Sequence, residues 1–237
     1  MICVLTHQGL GDHIICNGLI RSLLEKHDSI VLFVKENIFL SVQRMYDNES
    51  RIFCFPMLKS AGEEDYFSFF TKNKNTMKIG FSKYWELVHK SLEITEEFLE
   101  QKFDYNFYKL ADINFENRWK KFSFQRSYED ENRVFKKLNP DNEPYIFVHD
   151  DIARGFALNP SNPNNYKIIK NDPSELIFSM ISILENAEEI HCMESSFNAL
   201  IECLPTIKDN KLFYHSKVRN YPYWLISTTK RNWSIID

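Results

Sequence analysis

The chain has 237 residues, 43% of them hydrophobic, with 20 Phe, 11 Tyr and 4 Trp; this is core enough for one large α/β domain or two compact halves, and it excludes a disordered chain. Twenty-nine basic residues against 33 acidic ones leave a net charge of -4 with no Lys/Arg-rich run, so no nucleic acid is expected as a partner. The longest apolar stretches, residues 19–24 and 30–34, fall far short of the ~20 residues that cross a bilayer, so no membrane span is expected.

In chain order, the β-branched run of residues 1–6 leads through HQGLGD (7–12) into apolar residues at helical spacing, Ile14, Ile15, Leu19 and Leu23, which predicts strand, glycine turn, helix. Residues 29–35 (SIVLFVK) are continuously apolar, the pattern of a parallel strand buried on both faces. An amphipathic segment over 38–46 and a weaker strand over 51–55 follow, then the aromatic segment 66–70 and a fourth strand over 76–81. Residues 84–138 are helical in period, with Leu87, Leu92, Phe98 and Leu99 on one face, and predict two or three helices. The breaker cluster NPDNEP (139–144) sets the predicted domain boundary, dividing an N-terminal half, 1–138, from a C-terminal half, 139–237. In that second half, strands are predicted over 145–149, 166–170, 189–192 and 211–215, the last closing the pattern. Helices are predicted from Asp172, as cap, with Pro173 at the first helical position, and over 195–204 up to Pro205. Such alternation predicts an α/β fold with open parallel sheets. The five cysteines include no C-x-x-C pair and the N-terminus shows no leader pattern, so buried, reduced thiols and a cytoplasmic setting are expected.

Three of the six glycines, Gly9, Gly11 and Gly18, fall in the first strand-to-helix transition, where backbone can approach a ligand and helix-start N–H groups can meet an anion. The turn is neither a dinucleotide fingerprint, since Ile14 stands where its last glycine belongs, nor a P-loop. By spacing, Asp12 is a helix cap as readily as a general base. His7 and His13 are rival bases, with His13 read as a solvated first-turn residue. At the end of the 189–192 strand, Glu194, Ser195 and Ser196 open a helix whose N–H groups could meet a pyrophosphate, although Ser195 alone would read as an ordinary N-cap. After the 145–149 strand, HDDIARG (149–155) offers Arg154 as a phosphate fork beside Gly155, which allows a sharp turn. Arg219 follows the last predicted strand. His149, His191 and His215 stand at or near strand ends, where packing is the commoner role, and no spacing argues for a metal. Tyr105, Phe107 and Tyr108 read first as core and second as the floor of a sugar subsite.

HQGLGDHI (7–14), HCMESSF (191–197) and a strand-loop-Arg at the start of the second half together resemble a GT-B glycosyltransferase, and within that class are similar to the heptosyltransferase-like group and small surface-glycan relatives. The resemblance implies two Rossmann-like parallel-sheet domains facing across a cleft and inverting sugar transfer to a glycan or other hydroxyl acceptor, with no metal and no cofactor. Its nucleotide-diphosphate sugar donor would be held mainly by the second half. It implies Asp12 as the base that deprotonates the acceptor; His7, Gln8 and His13 are expected beside it on the acceptor side. It matches Ser195, Ser196 and Arg154 to the donor side, and Gly11, His149, Lys170, His191, Glu194 and Arg219 are expected to complete the donor site. Two departures are the short chain and ESSF (194–197) where heptosyltransferases have an Asp-Ser-Gly-like sequence. A nucleotide-sugar epimerase of the same fold and a non-catalytic glycan- or partner-binding module are the alternatives.

Overall fold

The computed structural model describes residues 1–57, 75–80 and 96–237. The predicted aromatic segment 66–70, the end of the predicted strand at Phe81, and Leu87 and Leu92 lie outside the described residues.

The chain forms two compact units, one of Met1–Gln125 with Tyr223–Thr228, the other of Arg126–Pro222 with Thr229–Asp237. The division therefore falls before the helix of residues 128–138, not after it. That helix belongs to the second unit because its buried Glu131 accepts from Ser182 Oγ at 2.8 Å and, like Glu185, pairs with Arg126, while Arg133 and Lys137 reach Glu175. A breaker cluster ends a helix without saying which core the helix has joined.

The first unit holds a wholly parallel sheet in the order β3-β2-β1-β4, made of β1 (Ile2–Thr6), β2 (Ile30–Lys35), β3 (Ile52–Met57) and β4 (Thr76–Ile79). β2 is not buried on both faces as its apolar run predicts. Ile30, Leu32 and Val34 are buried, whereas Val31, Phe33 and Lys35 are half-buried, and Phe33 packs on the exposed Phe55 at 6.0 Å. After β1 the chain forms α1 (Leu10–Ile15) and α2 (Asn17–Leu23), broken at Cys16, and α3 (Phe39–Tyr46) precedes β3. Gly18 is a packing residue rather than part of the functional turn, since a Cβ there would run into the backbone carbonyl of Asn117. The described part of the predicted helical region holds α4 (Glu96–Glu100), α5 (Phe103–Leu110), α6 (Asn117–Lys120) and α7 (Tyr128–Leu138), the last capped by Ser127. Phe107 and Tyr108 are core residues, and the Tyr108 hydroxyl donates to the Ile15 carbonyl at 2.8 Å; Tyr105 is exposed. Arg118 and Asp104 form a fully buried ion pair, and Asp104 also accepts from the backbone N and Oγ1 of Thr228.

The second unit holds a parallel sheet in the order β6-β5-β7-β8-β9, made of β5 (Tyr145–Val148), β6 (Lys167–Lys170), β7 (Glu189–Cys192), β8 (Leu212–His215) and β9 (Ser234–Ile236). β8 is thus not the last strand. β9 is a three-residue exposed edge that offers no hydrophobic pattern to read. Helical structure does not start at Pro173. Asp172 instead closes a turn by accepting from Ser174 N and Oγ at 2.9 and 2.6 Å, and a 3₁₀ turn over Ile177–Met180 leads into α8 (Ile181–Asn186). α9 (Ser196–Ile201) packs Phe197 on Phe147 and His149, at 5.3 and 4.8 Å between ring centres. None of the five cysteines is in a disulfide; Cys16 and Cys192 are buried and the other three half-buried. No helix among the described residues is long and apolar enough to cross a membrane.

Candidate functional site

In an open parallel sheet, ligands bind beyond the carboxyl ends of the strands where the strand order reverses. In the first unit β1 connects outward to β2 while β4 returns on its other side, so the reversal lies between β1 and β4. The turn after β1 is the glycine turn. In the second unit the reversal lies between β5 and β7, whose ends carry His149 and Glu194.

The first turn is folded inward by its own side chains. Gly9 caps α1, and its backbone N donates to Asp12 Oδ2 at 3.0 Å, while His7 Nδ1 lies 2.9 Å from the same oxygen. A Cβ at position 9 would stand 2.5 Å from Asp12 Oδ2, so glycine there leaves the carboxylate room in this inward position. Asp12 therefore caps the helix and pairs with a histidine at once, so the cap and the base are not exclusive readings. Gln8 spends its amide on the scaffold: Nε2 donates to the carbonyls of Thr6 and Phe33 at 2.7 and 3.2 Å, and Oε1 accepts from Lys35 N at 3.1 Å, which ties the ends of β1 and β2 together. His13 is not solvated. It is fully buried beneath the turn, 3.2 Å from Thr6 Oγ1, and burial pushes its pKa down to about 4. The 3.6-residue period turns position 13 toward the sheet, which a count of residues from the glycines does not reveal. Gly11 lies inside α1.

In the second unit the loop after β5 is a closed hairpin-like turn. Asp151 and Phe156 exchange backbone hydrogen bonds at 2.9 and 3.0 Å, and Gly155 takes φ +80°, a left-handed conformation, at the sharp turn expected there. The buried Asp150 anchors the loop by accepting from Leu158 N at 2.7 Å and pairing with Lys170 at 2.5 Å. Arg154 stands at the tip, 67% exposed and 3.7 Å from Asp151. Arg219 is nine-tenths buried, pairs with Asp151 and lies over Phe156. Nε of Arg219 and Nδ1 of His149 are buried without a hydrogen-bond partner among the described residues. The His149 pKa is pushed down to about 4, by burial first and the Arg219 charge second, so the ring is neutral at pH 7. At the end of β7, Ser195 caps α9 by accepting from Asn198 N at 3.3 Å, Ser196 is its first residue, and Glu194 accepts from the Tyr214 hydroxyl at 3.2 Å.

His149, Arg154, Lys170 and Arg219 are thus brought together through Asp150 and Asp151, two residues that sequence reasoning passed over. His191 is not part of this group. Register pairs it with Val148, on the sheet face opposite Phe147, where it lies 3.1 Å from Glu189 and 3.0 Å from His215 and stacks on Phe213. The doublet Asp150-Asp151 was visible in sequence, but the Asp151 partner lies 68 residues away. No group of three His, Cys, Asp or Glu that could hold a metal ion occurs among the described residues.

Each unit is thus a parallel-sheet α/β unit with polar and charged side chains at its reversal point. Solved glycosyltransferase structures share this fold. The chain is similar to a glycosyl transferase family 9 protein from Veillonella parvula, at TM-score 0.61 and 8% identity over 99% of this chain and 86% of that one. It is similar to the ADP-heptose lipopolysaccharide heptosyltransferase II of E. coli, at TM-score 0.58 and 9% identity over 100% and 90%. The iron-containing dodecameric glycosyltransferase TibC of enterotoxigenic E. coli matches at TM-score 0.53 and 10% identity, over 98% of this chain and 64% of its own. At such identities the likeness is one of fold. No protein-family model and no curated protein sequence matches the chain.

Proposed function

We propose that the protein is a glycosyltransferase that takes a sugar from a nucleotide-diphosphate donor to a hydroxyl acceptor, with inversion and without a metal. The observation that carries the reading is the pair of buried polar atoms, His149 Nδ1 and Arg219 Nε, that have no hydrogen-bond partner among the described residues, in the unit whose reversal point lies at the end of β5. A buried polar atom without a partner costs roughly 1–3 kcal/mol, and a ligand that supplies the missing hydrogen bond recovers it. A diphosphate oxygen accepts from guanidinium N–H groups, and the start of α9 with Ser195 and Ser196 adds backbone donors. Lys170 and Arg219 are already paired with Asp150 and Asp151, so the exposed Arg154 is the least compensated cation for the charge that builds on the leaving group. The turn of Asp12 and His7 in the other unit supplies the group that takes the acceptor proton. Glycosyltransferase activity in the structural neighbours supports the same reading.

The test is a thermal-shift and calorimetric screen with nucleoside diphosphates and their sugars in the presence of EDTA, because a ligand bound only by the folded state raises its melting temperature. One nucleotide class should bind, and Arg219→Gln should weaken it by about 10- to 100-fold, the worth of a charge-assisted contact. A protein that binds no nucleotide, or binds only after a divalent metal is added, contradicts the reading in the first case and its metal independence in the second.

A further inference from the structure

We infer that Asp151 is a positioning residue for the donor: its carboxylate grips Arg219 by Nη2 and so presents the Nε–H of the same guanidinium to the diphosphate. The inference rests on the transfer reading above and concerns the second unit alone.

Three observations carry it. The carboxylate rides on a closed turn, since the backbone of Asp151 exchanges hydrogen bonds with Phe156 at 2.9 and 3.0 Å and its carbonyl also accepts from Arg154 N at 3.0 Å. The acid is therefore fixed, and the arginine is brought to it. Second, the same turn supplies a ring: the Arg219 guanidinium lies over Phe156 at 5.3 Å, with Tyr221 at 5.9 Å, so its plane is held as well as its Nη2 end. Third, Nε of this held group is buried with no hydrogen-bond partner among the described residues. An arginine stem turns freely, and an ionised guanidinium kept inside the fold without a carboxylate beside it is driven out to water. Asp151 removes both penalties in advance, so the diphosphate meets a donor group that is already aimed.

The same carboxylate also lowers the positive charge that draws an anion, being 3.7 Å from Arg154 as well. The two effects have opposite signs. Positioning outweighs charge because the Arg219 side chain is 9% exposed and that of Arg154 67%: a charge-assisted hydrogen bond made inside the fold is strong, whereas charge at the surface is screened.

The experiment is a double-mutant cycle read by calorimetry in EDTA with ADP, GDP, UDP and CDP. Asp151→Ala should weaken the nucleotide that wild-type protein binds by about 10- to 100-fold, although it adds net positive charge. Asp151→Asn, whose amide oxygen still accepts from Nη2, should keep the affinity within about threefold. In Arg219→Gln protein, Asp151→Ala should have no further effect, because the aspartate acts through that arginine. Equal or tighter binding in folded Asp151→Ala, or a loss of the same size in the Arg219→Gln background, overturns the inference. Failure of the transfer reading looks different: wild-type protein binds none of these nucleotides. The Arg219 Nε–H signal in ¹H–¹⁵N spectra then decides, being protected from exchange in wild type and Asp151→Asn and lost in Asp151→Ala; a signal unchanged in Asp151→Ala overturns the clamp. Should Asp151→Ala not fold, Asp151→Glu replaces it, since it keeps the charge and displaces it by the length of a methylene: weakened binding supports positioning, and native affinity overturns it.

Discussion

Gly9 is the residue on which the His7–Asp12 geometry depends. Its φ of -87° suits any residue, so alanine would fold there without backbone strain, and the only conflict is the 2.5 Å approach of its Cβ to Asp12 Oδ2. Gly9→Ala is therefore expected to leave the melting temperature nearly unchanged while pushing the carboxylate off the ring. Donor turnover should fall by about 10²-fold, the scale of a 1 Å misplacement, with nucleotide affinity intact. Equal activity in the variant would show that the inward carboxylate is not needed. At the same scale, Gln8 and His13 are scaffold residues: one saturates backbone groups at two strand ends, and the other is sealed beneath the turn.

Helices α2 and α6 show how the same residue type serves a different end. Gly18 lies where α2 meets α6, and any side chain there strikes the backbone of Asn117, which cannot swing aside as a long side chain can. Asn117 Nδ2 also donates to Ser22 Oγ at 2.9 Å, and Asn17 exchanges bonds with Ser123 at 3.1 and 3.0 Å, so the contact is held on both sides. Gly18→Ala should destabilise the first unit by ~1–3 kcal/mol, the usual cost of overpacking, read from denaturant unfolding. Unchanged stability would mean that the two helices separate without penalty. Nucleotide affinity should be unaffected, because His149, Arg154, Ser195, Ser196 and Arg219 all belong to the second unit.

On the scale of the whole molecule, each unit buries a neutral histidine, His13 in the first and His149 in the second. Both have pKa values lowered to about 4 in the folded chain against roughly 6.5 when unfolded. The unfolded chain therefore binds protons first as pH falls. The stability held by the neutral rings is complete above about 6.5 and is lost progressively down to about 4, on the order of 3 kcal/mol per histidine. Melting temperature should drop steadily between pH 7 and pH 5 in both units. A constant value over that window would contradict the burial of both rings.

Much of this architecture could be read along the chain because it depends on neighbours in sequence. Alternating apolar runs located β1, β2, β5, β7 and β8 to within a residue or two, since a buried strand needs apolar side chains wherever it lies. The Ser195 cap and the sharp turn at Gly155 were equally legible, being matters of local backbone geometry. Other features were decided by partners far along the chain. Helix α7 joined the second unit through Glu185 and Glu175, His13 was buried by helical rotation, and Arg219 was neutralised by an aspartate 68 positions away. The sequence by itself determined a parallel α/β protein with glycine turns and polar residues at its strand ends. Only the tertiary structure decided which of those residues meet, because hydrogen bonds and charge pairs act over a few ångströms of space, and sequence separation carries no information about that distance.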